Sequence, residues 1–409
     1  MWGLPHMRAW LWIKIFGYEN NVAQRKDTYM AQSGYDDITS FLVMEVLERA
    51  EKLESIGRHI IHLEIGQPDF STPACVTEAA VKALRDGKTG YTHSLGILPL
   101  REAIAAYYKR EYKVTVSPER VVVTNGTSPA MLLLFSAMFG RSGGEMVMPD
   151  PTYACYASFV NYVGGTVVSV PTLEENGFQL KIDEVRSALG RDCKGILVNS
   201  PSNPAGTIIS PDDLRALCTM GVPVVSDEIY HGLVYEGRAA SALEFADDAC
   251  VLDGFSKRYA MTGWRLGWMV LPEHHIPVIQ KLQQNFFICA NSITQWAGIA
   301  ALEEAAPDVE RMRCEYGRRR QVLLEGLRAL GFPIHSSPVG AFYMLANARH
   351  LSNDSLSLAF DILEKAGIGV APGIDFGPGS EGYLRFSYAN SVENIEEGLH
   401  RLKKYLENR

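Results

Sequence analysis

Short apolar runs that end abruptly in polar side chains recur along this chain, and they constrain its fold more than any other feature. The segment VPVVSDEIY (222–230) ends its apolar run next to Asp227, and the segment CVLDGFSK (250–257) ends in Lys257. Short apolar and β-branched runs favour buried strands, and segments with helical periodicity separate several of them. This alternation predicts an α/β fold with a mainly parallel sheet. The predicted strands are 60–65, 120–124, 145–148, 166–170, 195–199, 222–226, 250–254 and 267–271.

The pattern changes after about residue 272, where long helical segments replace the alternation of strands and helices. We predict helices over 276–305 and 308–330, followed by short strands mixed with helices. These helices connect a large α/β domain to a smaller α+β domain. The predicted divisions are an N-terminal extension at 1–30, a segment at 31–58 that packs with the small domain, a large domain at 59–300 and a small domain at 301–409.

Composition and charge exclude several classes of partner. The 409 residues include 47 acidic and 39 basic side chains, a net charge of −8, so the chain has no basic footprint for nucleic acid or an anionic membrane. An apolar tract near Trp10 is too short and too interrupted to span a bilayer. The seven cysteines are scattered without a CxxC pair, which favours free thiols in a reducing compartment. We expect a cytoplasmic protein that acts on small molecules, with no nucleic acid, membrane or metal partner.

Two polar segments follow strands in the first half of the predicted sheet. Ligands of open parallel α/β sheets bind beyond the carboxyl ends of the strands, so both segments are candidate sites. The segment NGTS (125–128) precedes a helix, and its backbone N–H groups suit an anion such as phosphate, although an ordinary helix cap has the same composition. The segment NSPSNPAGT (199–207) forms either a turn that projects the amide of Asn203 or a turn without a functional role.

Two further segments add ionisable groups. The motif SDEIY (226–230) holds a carboxylate, Asp227, and a phenol, Tyr230, within one turn, where a carboxylate could also cap a helix. Lys257 follows the next strand and Arg265 comes eight residues later, both among aromatic side chains. Lysine and arginine are usually solvated, so this setting favours a site. The occurrence of all four segments in one chain makes a shared site the better interpretation.

The four segments together supply an anion pocket, a hydrogen-bond donor, a carboxylate, a phenol and an amine. Pyridoxal phosphate uses all of these: its aldehyde takes a lysine, its phosphate takes N–H groups and an arginine, and its ring nitrogen takes a carboxylate. The motifs SPSNPAGT, SDEIY and SKRYAMTGWRLG, in this order and spacing, resemble those of the class I/II pyridoxal-phosphate-dependent aminotransferases, over about residues 35–400. The resemblance implies transferase fold type I, with a mainly parallel central sheet between helices and a smaller α+β domain.

The resemblance also implies roles for individual residues at the cofactor. Lys257 matches the lysine that forms the Schiff base and carries the proton, and Asp227 matches the partner of the ring nitrogen. Tyr230 and Asn203 match the pair at the phenolic oxygen, and Tyr153 matches the aromatic side chain that stacks on the ring. Lys257, Asp227 and Tyr230 are therefore the predicted catalytic residues. The predicted phosphate ligands are Gly126, Thr127, Ser128, Ser256 and Arg265.

Substrate and subunit contacts follow from the same resemblance. Arg385, in GYLRFSYAN (382–390), matches the arginine that binds the substrate α-carboxylate, although a solvated arginine on an edge strand would also suit this sequence. Gly66 and Asn203 are the other predicted substrate contacts. Tyr91 matches the tyrosine that reaches the phosphate of the neighbouring subunit, which implies a homodimer with shared active sites.

The expected function is transfer of an amino group from an L-amino acid to a 2-oxo acid by a ping-pong mechanism, with Lys257 as the base. A carbon–sulfur β-lyase or a cyclopropane-forming synthase shares the lysine, the aspartate and the arginine, so the motifs leave that alternative open. A pyridoxal-phosphate-binding regulator would carry a DNA-binding domain ahead of Gly66, where no helix-turn-helix pattern occurs.

The donor amino acid is less constrained than the reaction. Ser128 stands where some dicarboxylate-specific relatives have a lysine that reads the distal carboxylate. Other such relatives use an arginine near the start of the long helix, and the segment 283–293 contains none. An apolar or small amino acid is therefore at least as good a candidate as aspartate.

Overall fold

A seven-stranded sheet forms the centre of the protein. The computed structural model describes residues 38–409, of which Phe41–Arg409 form one compact unit, and the predicted extension at 1–30 lies outside the described residues. The strands are β1 (Ile61–His62), β2 (Val121–Thr124), β3 (Glu145–Asp150), β4 (Thr166–Pro171), β5 (Cys193–Asn199), β6 (Val224–Asp227), β7 (Cys250–Gly254), β8 (Gly267–Val270), β9 (Tyr343–Asn347), β10 (Ile368–Gly369), β11 (Ala371–Pro372) and β12 (Tyr383–Ser387). The central order is β2-β8-β7-β6-β5-β3-β4, in which β8 is antiparallel to both neighbours and the other pairs are parallel. The predicted α/β fold with a mainly parallel central sheet is confirmed.

Helices surround this sheet. None of those in the described residues is long and apolar enough to cross a membrane. They are α1 (Leu42–Ser55), α2 (Ala74–Arg85), α3 (Leu98–Tyr112), α4 (Thr127–Phe139), α5 (Cys155–Tyr162), α6 (Ile182–Ala188), α7 (Pro211–Cys218), α8 (Ile276–Phe286), α9 (Ser292–Glu304), α10 (Ala306–Ala329), α11 (Ser355–Ala366) and α12 (Val392–Glu407).

Both faces of the central sheet are buried, which explains its unbroken apolar runs. Successive side chains of a strand point to opposite faces, so Val121 and Val123 join one core and Val122 joins the other. The first core is covered by α3 and α9, and the second by α4 and α8. A parallel sheet that is covered on both faces leaves its strand ends free for polar groups. The ends of β5, β6 and β7 therefore lie along one edge.

The prediction of one helix over 276–305 is wrong at residues 287–291, where the structure interrupts it and forms two helices, α8 and α9. Ile288 has φ 64°, a left-handed conformation that a β-branched residue rarely adopts. The side chain of Asn291 then accepts hydrogen bonds from the backbone N–H groups of Ile293 at 3.0 Å and Thr294 at 3.2 Å, which starts α9. The apolar periodicity continues across this break and hides it in the sequence.

A second, antiparallel sheet has the order β11-β12-β9 and packs with α10, α11 and α12. The predicted strand over 60–65 pairs only at Ile61 and His62, parallel to β10 and outside the central sheet. The core around this smaller sheet includes Ile229 and Tyr230, which follow the end of β6. The two regions therefore meet at the carboxyl edge of the central sheet. The boundary between a large domain at 59–300 and a small one at 301–409 stays a prediction.

A glycine on β8 allows α4 to begin close to the sheet, and this contact can be tested. A Cβ atom on Gly267 would lie 2.9 Å from the carbonyl carbon of Gly126 and 3.1 Å from the backbone nitrogen of Thr127. Backbone atoms cannot move aside as a flexible side chain can, so Gly267→Ala should overpack this contact and lower the free energy of unfolding by about 1–3 kcal/mol. Urea unfolding followed by circular dichroism measures this.

The matched control is Gly317→Ala on α10. There the nearest atom to a new Cβ atom would be 3.5 Å away, in the ring of Tyr235. Alanine should raise the free energy of unfolding by about 0.5–1 kcal/mol, because it lowers the backbone entropy of the unfolded chain. Equal effects of the two substitutions would contradict the close contact at Gly267.

Candidate active site

A cavity of about 310 Å³ lies at the carboxyl edge of the central sheet. Side chains from the ends of β5 and β6, from the start of α4 and from β12 line it. It gathers most of the residues that the sequence predicts for a site, although those residues are spread over more than three hundred positions. The predicted residues that line it are Gly66, Thr127, Ser128, Tyr153, Asn203, Asp227, Tyr230, Ser256, Lys257, Arg265 and Arg385.

Lys257 follows the end of β7 and points its amine into this cavity. The Nζ atom donates a hydrogen bond to the carbonyl oxygen of Gly66 at 2.5 Å. Burial lowers the pKa of Lys257 from 10.5 to about 8, and repulsion from Arg385 and Arg265 adds to the shift, while Asp227 opposes it. A substantial fraction of this amine is therefore neutral near physiological pH and able to act as a nucleophile or a base.

Asp227 ends β6 and is buried. Its Oδ2 atom accepts a hydrogen bond from the hydroxyl of Tyr156 at 2.6 Å, and its Oδ1 atom accepts one from the N–H of Ile229 at 3.1 Å. Burial raises the pKa of Asp227 from 3.8 to about 6, although both hydrogen bonds and the charge of Lys257 act against the shift. The carboxylate thus remains mostly ionised at neutral pH and would be stabilised by a cation that faces it.

Arg385 on β12 is 2% exposed, and it makes no ion pair with a carboxylate of the described residues. Its Nη1 atom donates to Oδ1 of Asn203 at 3.0 Å, and its Nη2 atom donates to the carbonyl oxygen of Glu64. Its Nε atom has no hydrogen-bond partner among residues 38–409. A buried guanidinium without an anion is costly, so this arrangement suits an anionic ligand.

A second anion site lies where α4 begins. Gly126 precedes this helix with φ 98°, and a Cβ atom there would lie 2.7 Å from Nη2 of Arg265. Glycine therefore lets the guanidinium approach the helix N-terminus, where unpaired N–H groups and the helix dipole attract negative charge. Within residues 38–409, the guanidinium of Arg265 donates to the carbonyl oxygen of Thr262, at 2.9 Å, and forms no ion pair. Thr127 and Ser128 add hydroxyl groups at the same place.

Two tyrosines complete the predicted set in the cavity. The hydroxyl of Tyr230 lies 2.9 Å from the hydroxyl of Tyr343. Tyr153 packs edge-to-face against Tyr156, with ring centroids 5.2 Å apart. A flat ligand could lie against the ring of Tyr153 while Tyr230 presents its hydroxyl to the edge of that ligand.

Tyr91 does not reach the cavity within this chain. Its side chain is 85% exposed and does not line the site. Its expected contact with the phosphate of a neighbouring subunit therefore stays a prediction.

Three residues that the sequence argument did not select belong to this site. Tyr156 bonds to Asp227, Tyr343 bonds to Tyr230, and Asn199 donates to the carbonyl oxygen of Asp227 at 2.9 Å. Tyr156 lies three residues after Tyr153 in PTYACY, a second tyrosine in the same motif that could have revealed it. The position of Tyr343 depends on packing between distant segments, and no local motif marks it.

The charged groups of the cavity match a specific ligand chemistry. Among the described residues, its charged lining consists of the cations Lys257, Arg265 and Arg385 and the carboxylate of Asp227. Arg265 and Arg385 would each be stabilised by an anionic group of a ligand, and Asp227 would be stabilised by a cationic group. Pyridoxal phosphate, with an aldehyde, a phosphate and a ring nitrogen that takes a proton, together with an amino acid that brings a carboxylate, meets these requirements.

The lowered pKa of Lys257 predicts how its amine reacts. In protein freed of small molecules, the rate at which a neutral aldehyde and a reductant label Lys257 should increase with pH, with its midpoint at about pH 8. Ordinary lysines, with a pKa of about 10.4, should be labelled far more slowly at that pH. Asp227→Asn removes the one charge that raises the pKa of Lys257, so its labelling curve should shift to lower pH. Peptide mass mapping measures both, and a Lys257 curve like that of the other lysines would contradict the mechanism of the shift.

Comparison with known proteins places the chain in a family. Residues 58–402 match the family model for aminotransferases of class I and II. The chain is 40% identical to the (5-formylfuran-3-yl)methyl phosphate transaminase of Methanocaldococcus jannaschii, over 90% of this chain and 97% of that one. It is 36% identical to the valine–pyruvate aminotransferase of Mycobacterium tuberculosis, again over 90% and 97%. The solved structure of aspartate aminotransferase from Thermus thermophilus with maleate superposes with a TM-score of 0.87 at 37% identity, covering 90% of this chain and 97% of that one. The chain belongs to the class I and II aminotransferase family, whose members of known structure share fold type I.

Proposed function

We propose that this enzyme is a pyridoxal-phosphate-dependent aminotransferase that moves the amino group of an L-amino acid to a 2-oxo acid by a ping-pong mechanism. The observation that carries the proposal is that one cavity holds a partly neutral lysine, an ionised aspartate and an arginine with no anionic partner among the described residues. Membership of the aminotransferase family supports the reaction class.

Lys257 would hold the cofactor and then move the proton. When pyridoxal phosphate is bound, its ring accepts the electrons that remain on the substrate α-carbon after that carbon loses its proton. The Nζ atom of Lys257, which is partly neutral within the cavity, would act as the base that takes the α-proton. The same atom would then give that proton back, so one amine would serve for both transfers.

Asp227 and the residues around the start of α4 would orient the cofactor. The ionised carboxylate of Asp227, fixed by Tyr156 and Ile229, would face the protonated ring nitrogen. Thr127, Ser128, Ser256 and Arg265 would hold the phosphate, at the backbone that Gly126 leaves open. Tyr230 and Asn203 would bond to the phenolic oxygen, and Tyr153 would stack on the ring.

Arg385 would bind the substrate α-carboxylate. Asn203 and the carbonyl oxygen of Glu64 accept hydrogen bonds from its guanidinium. The ring centroids of Tyr343 and Phe376 lie 4.3 Å and 4.8 Å from its Cζ atom. These contacts fix the fork before the substrate arrives, so little side-chain entropy is lost on binding. The carboxylate fixed by Arg385 would set the α-carbon next to Lys257.

The wall of the cavity formed by α1 favours an apolar amino acid as the donor. Phe41, Met44 and Leu47 line it, together with Val43 and Ile65. The backbone N–H groups of Leu42 and Val43 donate to the carboxylate of Asp375 at 2.8 Å and 3.2 Å, which anchors the start of α1 at the cavity. Among the described residues, no charged group lines the cavity beyond the four already given roles. A second carboxylate on the substrate would therefore have no ion-pair partner there.

The donor class has a direct test in a half-reaction screen. The pyridoxal form of the enzyme is mixed with single amino acids, and loss of its absorbance is followed. Leucine and methionine should react at least about tenfold more efficiently than aspartate, because burial of an unpaired carboxylate against an apolar wall costs more than about 1.4 kcal/mol. Lys257→Ala is the control and should show no conversion. Aspartate as the fastest donor would contradict the apolar assignment.

A carbon–sulfur β-lyase is the second candidate, because it would use the same lysine, aspartate and arginine. Cysteine conjugates distinguish the two activities. An aminotransferase consumes an oxo acid in proportion to the amino acid converted. Stoichiometric release of pyruvate from a cysteine conjugate without any oxo acid would favour the lyase.

Arg385→Lys tests the role of the guanidinium. A single ammonium cannot make the paired contacts of the fork, so the affinity for amino acids should fall about 10–100-fold, while the cofactor absorbance stays unchanged. Arg349→Lys is a matched control, because Arg349 is also an arginine that stacks on an aromatic ring but is exposed. Its Cζ atom lies 4.8 Å from the ring centroid of Tyr383, which is on β12 like Arg385. Its substitution should leave the affinity unaltered, and equal losses in the two variants would refute the assignment.

A further inference from the structure

Glu64 is a fully buried carboxylate for which the proposed reaction has no use. Its side chain is 0% exposed, and its Oε1 atom lies 2.6 Å from Nδ1 of His62. Its Oε2 atom has no hydrogen-bond partner among residues 38–409. A buried carboxylate is strongly unfavourable unless a positive group compensates for it, so the imidazole of His62 has to supply that charge.

His62 lies between two carboxylates from different elements. Its Nε2 atom is 3.2 Å from Oε1 of Glu54 on α1, a side chain that is 42% exposed. The hydrogen bond to Glu64 is the main cause that raises the pKa of His62 to about 9, with Glu54 adding to it and burial opposing it. The neighbouring strand β10 contributes Gly369 opposite His62, which carries no charge. The imidazole is therefore a cation at neutral pH.

The backbone around Glu64 contacts two of the three cations that line the active site, Arg385 and Lys257. The carbonyl oxygen of Glu64 accepts a hydrogen bond from Nη2 of Arg385, and the carbonyl oxygen of Gly66 accepts one from Nζ of Lys257. Residues 64–66 thus form a short main-chain bridge between Arg385 at the proposed substrate site and Lys257, the proposed base. A displacement of this bridge would move the guanidinium of Arg385.

The side chain of Glu64 fits tightly against the neighbouring strand, which locks this bridge in place. A Cβ atom on Gly369 would lie 2.0 Å from Oε2 of Glu64, so the carboxylate occupies the space that glycine leaves. Next to it, the N–H of Leu63 donates to the carbonyl oxygen of Gly369 at 3.0 Å, and the N–H of Ser387 donates to the carbonyl oxygen of Leu63 at 2.6 Å. Ser387 is two residues beyond Arg385 on β12, so the two side chains share one face of that strand.

We propose that the His62–Glu64 ion pair is a positioning unit that holds the carbonyl oxygen of Glu64 against Arg385, so that the guanidinium faces the substrate α-carboxylate. The inference rests on the proposed function, because it takes Arg385 to be the residue that binds the substrate α-carboxylate. Neither His62 nor Glu64 lines the cavity, so both act through Arg385.

The experiment measures carboxylate binding separately from folding and catalysis. The probe is 4-methylpentanoate, a monocarboxylate without an amine, and its dissociation constant is obtained from the change in cofactor absorbance of the holoenzyme. His62→Gln and Glu64→Gln should weaken its binding about tenfold or more, and should raise KM in the half-reaction more than they lower the limiting rate. His62→Lys, which restores a cation beside Glu64, should recover most of the affinity.

Glu54→Gln is the matched control, because it removes the other carboxylate that contacts the same imidazole. An exposed ion pair contributes little, so this variant should change the affinity by less than about threefold. Loss of thermal stability in His62→Gln with an unchanged dissociation constant would overturn the proposal and leave a structural role only.

A pH titration of the unsubstituted enzyme tests the same idea without any risk of misfolding. The ion pair is present below the pKa of His62 and is lost as the pH rises through about 9, so the affinity for 4-methylpentanoate should fall over that range. The cofactor absorbance, followed in the same samples, separates this effect from titration at Lys257. The fall should persist in Glu54→Gln and be absent in His62→Lys, and a flat titration of the unsubstituted enzyme would overturn the proposal.

The two proposals fail in different ways. If no amino acid converts the cofactor of the unsubstituted enzyme, the proposed function is wrong. If amino acids react with the unsubstituted enzyme, but His62→Gln and the unsubstituted enzyme bind 4-methylpentanoate equally tightly, only the positioning role is wrong.

Discussion

Lys257 and Arg385 share one cavity, together with Arg265, and the repulsion among these cations constrains the rest of the site. Neither makes an ion pair with a carboxylate of the described residues, and both donate to main-chain carbonyl oxygens, those of Gly66 and Glu64. A carbonyl dipole satisfies the donor without cancelling its charge. Burial, with repulsion from Arg385 and Arg265, lowers the pKa of Lys257 to about 8, and the Nε atom of Arg385 has no hydrogen-bond partner within residues 38–409. A site with this charge pattern gains stability when an anion binds.

Burial shifts the pKa values of Asp227 and Lys257 towards each other. It raises the pKa of Asp227 to about 6 and lowers that of Lys257 to about 8. Lys257 can thus change its protonation state at moderate energetic cost near neutral pH, while Asp227 remains mostly ionised. The covered sheet is the source of both shifts, because β6 and β7 bring their polar ends out of an apolar core.

Local patterns predicted the parts of the fold that local chemistry controls. The apolar runs indicated the parallel strands, and the polar residues directly after them, such as Asp227 and Lys257, do lie together in the cavity. The break at Ile288 was not predicted, since apolar periodicity continues through it and only the Asn291 cap ends the run. The strand over 60–65 was assigned correctly in part, but its partner is β10, which lies more than three hundred residues away.

The sequence by itself determined the candidate groups of the site, because strand ends, turns and helix starts carry their chemistry within a few residues. Only the tertiary structure decided how those groups are held. Tyr343 reaches Tyr230 across 113 positions, and the carbonyl oxygen of Glu64 reaches Arg385 across 321. Contacts of this kind arise when two sheets pack at a shared edge, and no periodicity in the chain encodes which residues then meet. The same packing decides that α1 presents an apolar wall to the cavity.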